Sequence, residues 1–378
     1  MSATETATVS WGTRIKKALI AIFIGIEVVG GSILLLFWNE GRAIKANQAL
    51  AETAGLVISI DSSRVNPANN GKLVYISGPV KPLGNVSDPK FGITAAGALA
   101  IRRQVEMYQW VERSHTETVK HADGSETKTK TYSYSKQWSS SRVNSYRFNE
   151  RGHDNPRFAL DDSAVSVRNA KIGAFVLSAD DLANLGSATK IDLTQRDINR
   201  VAPALPGNKR VHWDQGDIYV GRYLGVSEIG DMRISFSRVD LAEASFVGRQ
   251  HGNTLEPYKA SDDREIFLSA AGKKEPTALF GQAQTENTVI TWLIRAGGLF
   301  GLLVGLRITM EFFIVLGDVI PFVGSLLSLS TAVLSVTLML IVGPVVIAVG
   351  WFVYRPLLAV AIIGAGVVLA AGFAYLHR

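Results

Sequence analysis

The stretch LLLFWNEGRAIK (residues 34–45) passes from greasy to charged across one aromatic pair, Phe37 and Trp38. What ends there decides where the remaining residues sit. It is a cleaved signal, a retained membrane anchor or the edge of a buried helix. The apolar run behind it extends from Ala18 to Trp38 and follows Arg14, Lys16 and Lys17. At ~1.5 Å per residue it reaches roughly 31 Å, which matches a hydrocarbon core of ~30 Å. A signal-peptide core is shorter, and a small-residue cleavage site follows it closely. The nearest such triplet is Ala49-Leu50-Ala51, well beyond the run. Residues 18–38 are therefore read as a retained anchor. Trp38 then lies at the interface, with Glu40, Arg42 and Lys45 in water. The flanking Lys/Arg favour a cytoplasmic segment 1–17 and an exported domain over residues 39–290.

The bulk numbers agree with a membrane chain. Of 378 residues, 47% are hydrophobic and 19% charged, with a mean hydropathy of +0.17. The apolar excess lies in Ala18–Trp38 and Thr291–Leu376, which marks transmembrane segments. The net charge of +6 does not signal nucleic acid. The middle of the chain holds 32 basic and 29 acidic residues and no basic run that could track a phosphate backbone. The chain has no cysteine. Disulfides, thiolate metal sites and cysteine nucleophiles are excluded, and the large middle segment must be held by its core alone.

Three further spans fit the last 88 residues (291–378). They run from about Trp292 to Leu316, from Ser325 to Tyr354 through Gly343-Pro344, and from Pro356 to Leu376. Gly297, Gly301 and Gly305 recur every four residues and lay a smooth strip along one helix face. Such a strip serves packing within the bundle or self-association between chains. Glu27, Arg307 and Glu311 fall within apolar spans, where a charge is costly and implies a partner. Arg307 and Glu311 share a face by their spacing. Glu27 and Arg307 fall at similar depth and are expected to pair, as a static lock or as part of an ion or proton path. Arg295, near the outer end, is expected to snorkel.

The exported segment reads as α+β with a largely antiparallel sheet. Strand-like runs include GLVISI, GKLVYISGPV, GDIYVG, GDMRISFS and ASFVGRQHGNTLEPY. VEMYQWVE (105–112) and TYSYSKQW (131–138) suit the arms of a hairpin turning at Asp123-Gly124. This hairpin is expected to protrude, with an aromatic base in the core. IGAFVLSADDLANLG reads as a strand and a short helix capped by Ser178. The pattern turns helical from about Pro276. No nucleophile elbow, Walker A loop or HExxH motif is present. Of the six histidines none is paired at metal spacing, and His153 in RGHDNP reads as a turn residue. No catalytic residue, metal site or cofactor is expected.

Taken in order, NEGRAIK (39–45), RRQVEMYQWVE (102–112), DGSETKTKTYSYSKQW (123–138), GHDNP (152–156), GDMRISFS (230–237), TWLIRAGG (291–298) and GWFVYRPL (350–357) resemble the transmembrane protein 43 (LUMA) family. The resemblance implies four transmembrane helices, one N-terminal and three C-terminal, with a large β-rich extramembrane domain between the first and second. It implies a lipid-embedded homo-oligomer that organises other membrane proteins. In animal relatives it implies the endoplasmic reticulum and inner nuclear membrane. It supplies no catalytic residue. The lack of cysteine, the Ala/Gly-rich spans and the short ends point to a bacterial relative, with the domain in the periplasm. The expected function is a non-enzymatic membrane scaffold. A channel or transporter subunit using Glu27, Arg307 and Glu311 is the alternative, and a membrane-bound hydrolase stands behind both.

Overall fold

The computed structural model describes residues 3–205, 210–319 and 323–356. The chain divides into two units, a sheet unit and a helical unit. The sheet unit comprises the described residues of Glu52–His115 and Thr131–Gly281 together with Ala3 and Thr4. The helical unit comprises Glu5–Ala51, Thr116–Lys130 and the described residues from Gln282 onward.

Among the described residues, three helices are long and apolar enough to cross a membrane. They are α1 (Trp11–Ala54), α4 (Pro276–Gly317) and α5 (Val323–Tyr354). The expected last span lies outside the described residues. The apolar run Ala18–Trp38 lies inside a longer helix. The helix does not stop at Trp38 but runs another sixteen residues to Ala54. Asn39, Ala43 and Asn47 recur every four residues and keep one face in contact with α4, so helix continues where hydropathy falls.

Among the described residues the registered ladders of the sheet unit are antiparallel, apart from the short strand Ile58–Ser59, which runs parallel to Leu73–Pro82. One sheet orders its strands as Ala3–Val9, Glu126–Ser139, Ala100–Lys120, Met232–Asp240, Asp217–Gly221 and Arg210–Asp214. A second orders them as Phe175–Ser178, Asn169–Ile172, Leu73–Pro82, Glu243–His251 and Thr254–Glu256. Strict alternation sets the buried face of Ala100–Lys120: Ile101, Arg103, Val105, Met107 and Gln109 point inward. They meet Ile234 and Phe236 of the neighbouring strand, and Val74, Ile76, Phe175 and Phe246 complete the core. Burying each of these phenylalanines contributes roughly 1.5–3 kcal/mol. Arg103 is tolerated inside because Asp88 Oδ2 meets it at 2.5 Å. Two short helices decorate the unit, α2 (Ala179–Ala183) and α3 (Gln195–Val201). Ser178 precedes α2 without a side-chain capping bond. Thr194 and Asp197 form a reciprocal capping box on α3.

The long hairpin forms as the sequence predicts, but with a longer turn. Its arms end at Lys120 and Glu126, and the loop is closed by His121 N–H to Ser125 O and Gly124 N–H to His121 O. Asp123 Oδ1 accepts from the Ser125 amide and hydroxyl, and Gly124 takes the left-handed conformation at φ 76°. The tip is not free-standing. Arg14 of α1 donates to Gly124 O at 2.6 Å.

Candidate functional site

The residues after Trp38 build a dense polar cluster in the helical unit. α1 presents Asn39, Glu40, Arg42 and Asn47. α4 presents Asn287, Thr291 and Arg295, spaced every four residues along one face. Asn39, fully buried, donates to Thr291 O at 3.1 Å. Arg42 donates to Asn287 Oδ1 at 2.9 Å and to Thr291 Oγ1 at 2.8 Å. Asn287 returns two bonds, to Ala43 O and Asn47 Oδ1.

Glu40 is the centre of the cluster, and here the structure corrects the sequence. Glu40 is not in water; it is 1% exposed. Arg295 grips it bidentately, Nε to Oε1 at 2.8 Å and Nη2 to Oε2 at 2.7 Å. Trp351 of α5 donates its indole N–H to Oε2 at 2.8 Å. Arg295 therefore does not snorkel; it is held by Glu40, with its guanidinium 4.8 Å from the Trp292 ring centre. The cluster ties three helices at one level. The cavity beside it, lined by Ala43, Asn287, Trp292 and Arg355 among others, measures about 170 Å³. That is below the several hundred Å³ of a typical ligand pocket.

The glycine strip is sorted by the structure. A methyl group on Gly301 would meet Ser32 Oγ at 2.6 Å, and one on Gly305 would meet Gly25 O and Val29 N at 2.9 Å. Gly298 takes the same role against Leu36. Gly301 and Gly305 thus seat α4 against α1 within the chain. Gly297 has nothing within 4 Å and is exposed.

The expected Glu27–Arg307 pair is not formed. Arg307 Nη1 donates instead to Ser328 O of α5 at 3.4 Å, and Glu27 is exposed on α1. The reason is azimuth rather than depth. Gly25 and Gly305 face each other across the α1–α4 seam. Glu27 and Arg307 each lie two residues further, about 200° around their helices, so both point away from that seam. Glu311 is also exposed.

In the sheet unit the GHDNP loop does more than turn. Asn155 brackets Trp110, accepting its amide at 2.7 Å and donating to its carbonyl at 2.9 Å. His153 stacks on Tyr134 at 3.9 Å and meets Trp110 edge-on at 4.6 Å. The Tyr134 hydroxyl donates to Glu112 at 2.7 Å. Burial, reinforced by that carboxylate, pushes the phenol up to about 12. A separate polar cleft of about 490 Å³ is lined by Glu106, Lys190, Asp217, Tyr219 and Arg233 among others. Lys190 meets Asp217 there at 3.0 Å. Tyr219, buried and bonded to Asp231 at 2.7 Å, is likewise pushed up to about 12. Among the described residues no group of three or more His, Asp or Glu is placed to hold a metal ion.

The family model described as Transmembrane protein 43 matches residues 107–356, which include Trp110, the hairpin, GHDNP, Arg295 and Trp351. The chain belongs to the transmembrane protein 43 family. It is 33% identical over 368 residues to transmembrane protein 43 of Mus musculus, covering 93% of this chain and 88% of that one. The Homo sapiens protein is 31% identical over 372 residues, covering 94% and 90%. The Drosophila melanogaster homolog is 28% identical over 373 residues, covering 92% of each. No solved structure matches the chain. As a member of this family and by its three long apolar helices, the chain is an integral membrane protein.

Proposed function

We propose that the chain is a non-enzymatic membrane scaffold that self-associates and organises other membrane proteins through an exported sheet domain. The observation that carries this reading is the exposure of Glu27 and Glu311 on apolar helices. A carboxylate facing lipid is costly, and such residues almost always face a bundle interior or a water-filled cavity. Neither forms an ion pair among the described residues, so an assembly of several chains is the natural way to enclose them. The Glu40–Arg295–Trp351 bonds, which join three helices, and the Asn39–Thr291 bond, which joins two, favour a rigid scaffold over a moving relay. A bacterial inner membrane with a periplasmic domain is the location this reading assigns.

Chemical crosslinking in native membranes, followed by mass-spectrometric identification, tests the proposal. The expected products contain more than one copy of this chain together with other integral membrane proteins. Products limited to the single chain, at crosslinker levels that capture known complexes of the same membrane, overturn it.

A further inference from the structure

Three apolar runs end at one level of the helical unit. That of α1 closes at Trp38, that of α4 opens at Trp292, and that of α5 closes at Trp351 and Tyr354. Tryptophan and tyrosine gather where hydrocarbon gives way to headgroups. The cavity of about 170 Å³ beside Glu40 lies at this level, and every residue lining it belongs to the helical unit. Its wall includes Trp292 and Trp351, both exposed, so it opens onto the apolar outer surface of the helices.

The cavity holds more donors than its own acceptors use. Its one carboxylate, Glu40, is spent on Arg295 and on the Trp351 indole. Arg355, one turn beyond Trp351, lines the same cavity and is half-buried. Its backbone amide donates to Trp351 O, but among the described residues its guanidinium has no hydrogen bond and no ion pair. Asn47 accepts from Asn287 on Oδ1, while its own amide N–H groups have no acceptor there. The Trp292 indole N–H has none either. Glu40 and Arg295 cancel in charge, so Arg355 leaves the cavity positive.

A guanidinium drawn out of water without an anion is costly. Its planar fork matches the oxygens of a phosphate. At the headgroup level of a membrane that anion is at hand in the lipid itself, and basic pockets between helices take such headgroups. The cavity is small for an organic ligand, but a phosphate group enters it while the rest of a lipid stays outside. Trp292, Ala296 and Phe300, all exposed and one turn apart on α4, give an acyl chain its track. We propose that this cavity binds the phosphate of an anionic phospholipid, held by Arg355 with Asn47 and Trp292 donating beside it. A zwitterionic lipid carries the same phosphate but brings its own cation next to Arg355, so the site prefers the anionic headgroup. This holds whether or not copies of the chain assemble.

Native mass spectrometry of the intact chain tests the site. The chain is delipidated in micelles and titrated with phosphatidylglycerol or phosphatidylcholine, and bound lipids are counted. The parent is expected to take one phosphatidylglycerol about tenfold more tightly than phosphatidylcholine. Arg355→Ala is expected to lose that preference, and Arg355→Lys, which keeps the charge but not the fork, to retain part of it. Lys17→Ala removes the same charge before the apolar run of α1, at its other end, and is expected to leave the preference within about twofold of the parent. Arg355→Ala strands no bonded side chain, and its helicity is checked against the parent. Where it does not fold, Trp292→Phe removes a single donor and is expected to weaken phosphatidylglycerol severalfold. Inorganic phosphate is titrated alone as a separate arm. No preference in the parent, equal preference in the parent and the folded site variant, or equal losses in the site variant and Lys17→Ala overturn the proposal. Inorganic phosphate binding that the site variant abolishes, without any lipid preference, assigns the cavity to a soluble anion and overturns the lipid.

Discussion

Removing Arg295 isolates a buried carboxylate, and the structure sets the size of the effect. In Arg295→Met, Glu40 at 1% exposure keeps only the Trp351 indole bond and loses both guanidinium bonds. Breaking a buried ion pair from one side costs about 3–5 kcal/mol. That lowers the folding equilibrium between roughly one hundred and a few thousand fold. Removing the second charge as well, in Glu40→Leu with Arg295→Met, leaves only the Trp351 N–H unsatisfied, at about 1–3 kcal/mol. The double variant is therefore more stable than Arg295→Met alone. The assay is reversible unfolding of the purified chain in mixed micelles, titrated with sodium dodecyl sulfate and followed by helicity. Arg295→Met within about 0.5 kcal/mol of the parent, or a double variant as unstable as the sum of both singles, refutes the reasoning.

Four further outcomes follow from other parts of the molecule. Gly305→Ala places a methyl 2.9 Å from Gly25 O and is expected to lose about 1–3 kcal/mol in the same assay. Gly297→Ala, with nothing within 4 Å, is expected to be neutral or slightly stabilising. Asn155→Ala leaves the Trp110 amide and carbonyl without their bracket and is expected to cost about 1–3 kcal/mol, read as faster amide exchange at Trp110. Tyr134 and Tyr219 are expected to ionise near pH 12, against the ordinary value of 10, in an ultraviolet titration. Because the folded value is raised, their contribution to stability is full below pH 10 and is lost as pH rises through about 12.

Much of this architecture is legible before any coordinates. Ala18–Trp38 declares itself by length, and the strands GDMRISFS and TYSYSKQW by alternation and aromatic content. The Asp123-Gly124 turn is found by its residues, although the loop around it is longer. What escapes is set by partners distant in sequence. Hydropathy reads Glu40 as wet because it cannot see Arg295, 255 residues away. Depth counting brings Glu27 and Arg307 level but carries no azimuth, and Gly25 facing Gly305 turns both away. A signal for the real cluster was present. Asn287, Thr291 and Arg295 repeat every four residues, opposite the NEGR run at 39–42. The docking of the hairpin tip has no local signature at all, since Arg14 against Glu126 and Lys120 against Asp318 are charge pairs between polar residues that a surface would also carry.

The exposed carboxylates Glu27 and Glu311 on apolar helices carry the proposal that the working form is an assembly of copies in the bilayer. The most direct test is the mass of the complex extracted with its native lipids by a membrane-solubilising polymer, without detergent, and weighed particle by particle. One discrete multiple of the 40.9 kDa chain is the predicted result. A population at the mass of a single chain contradicts it.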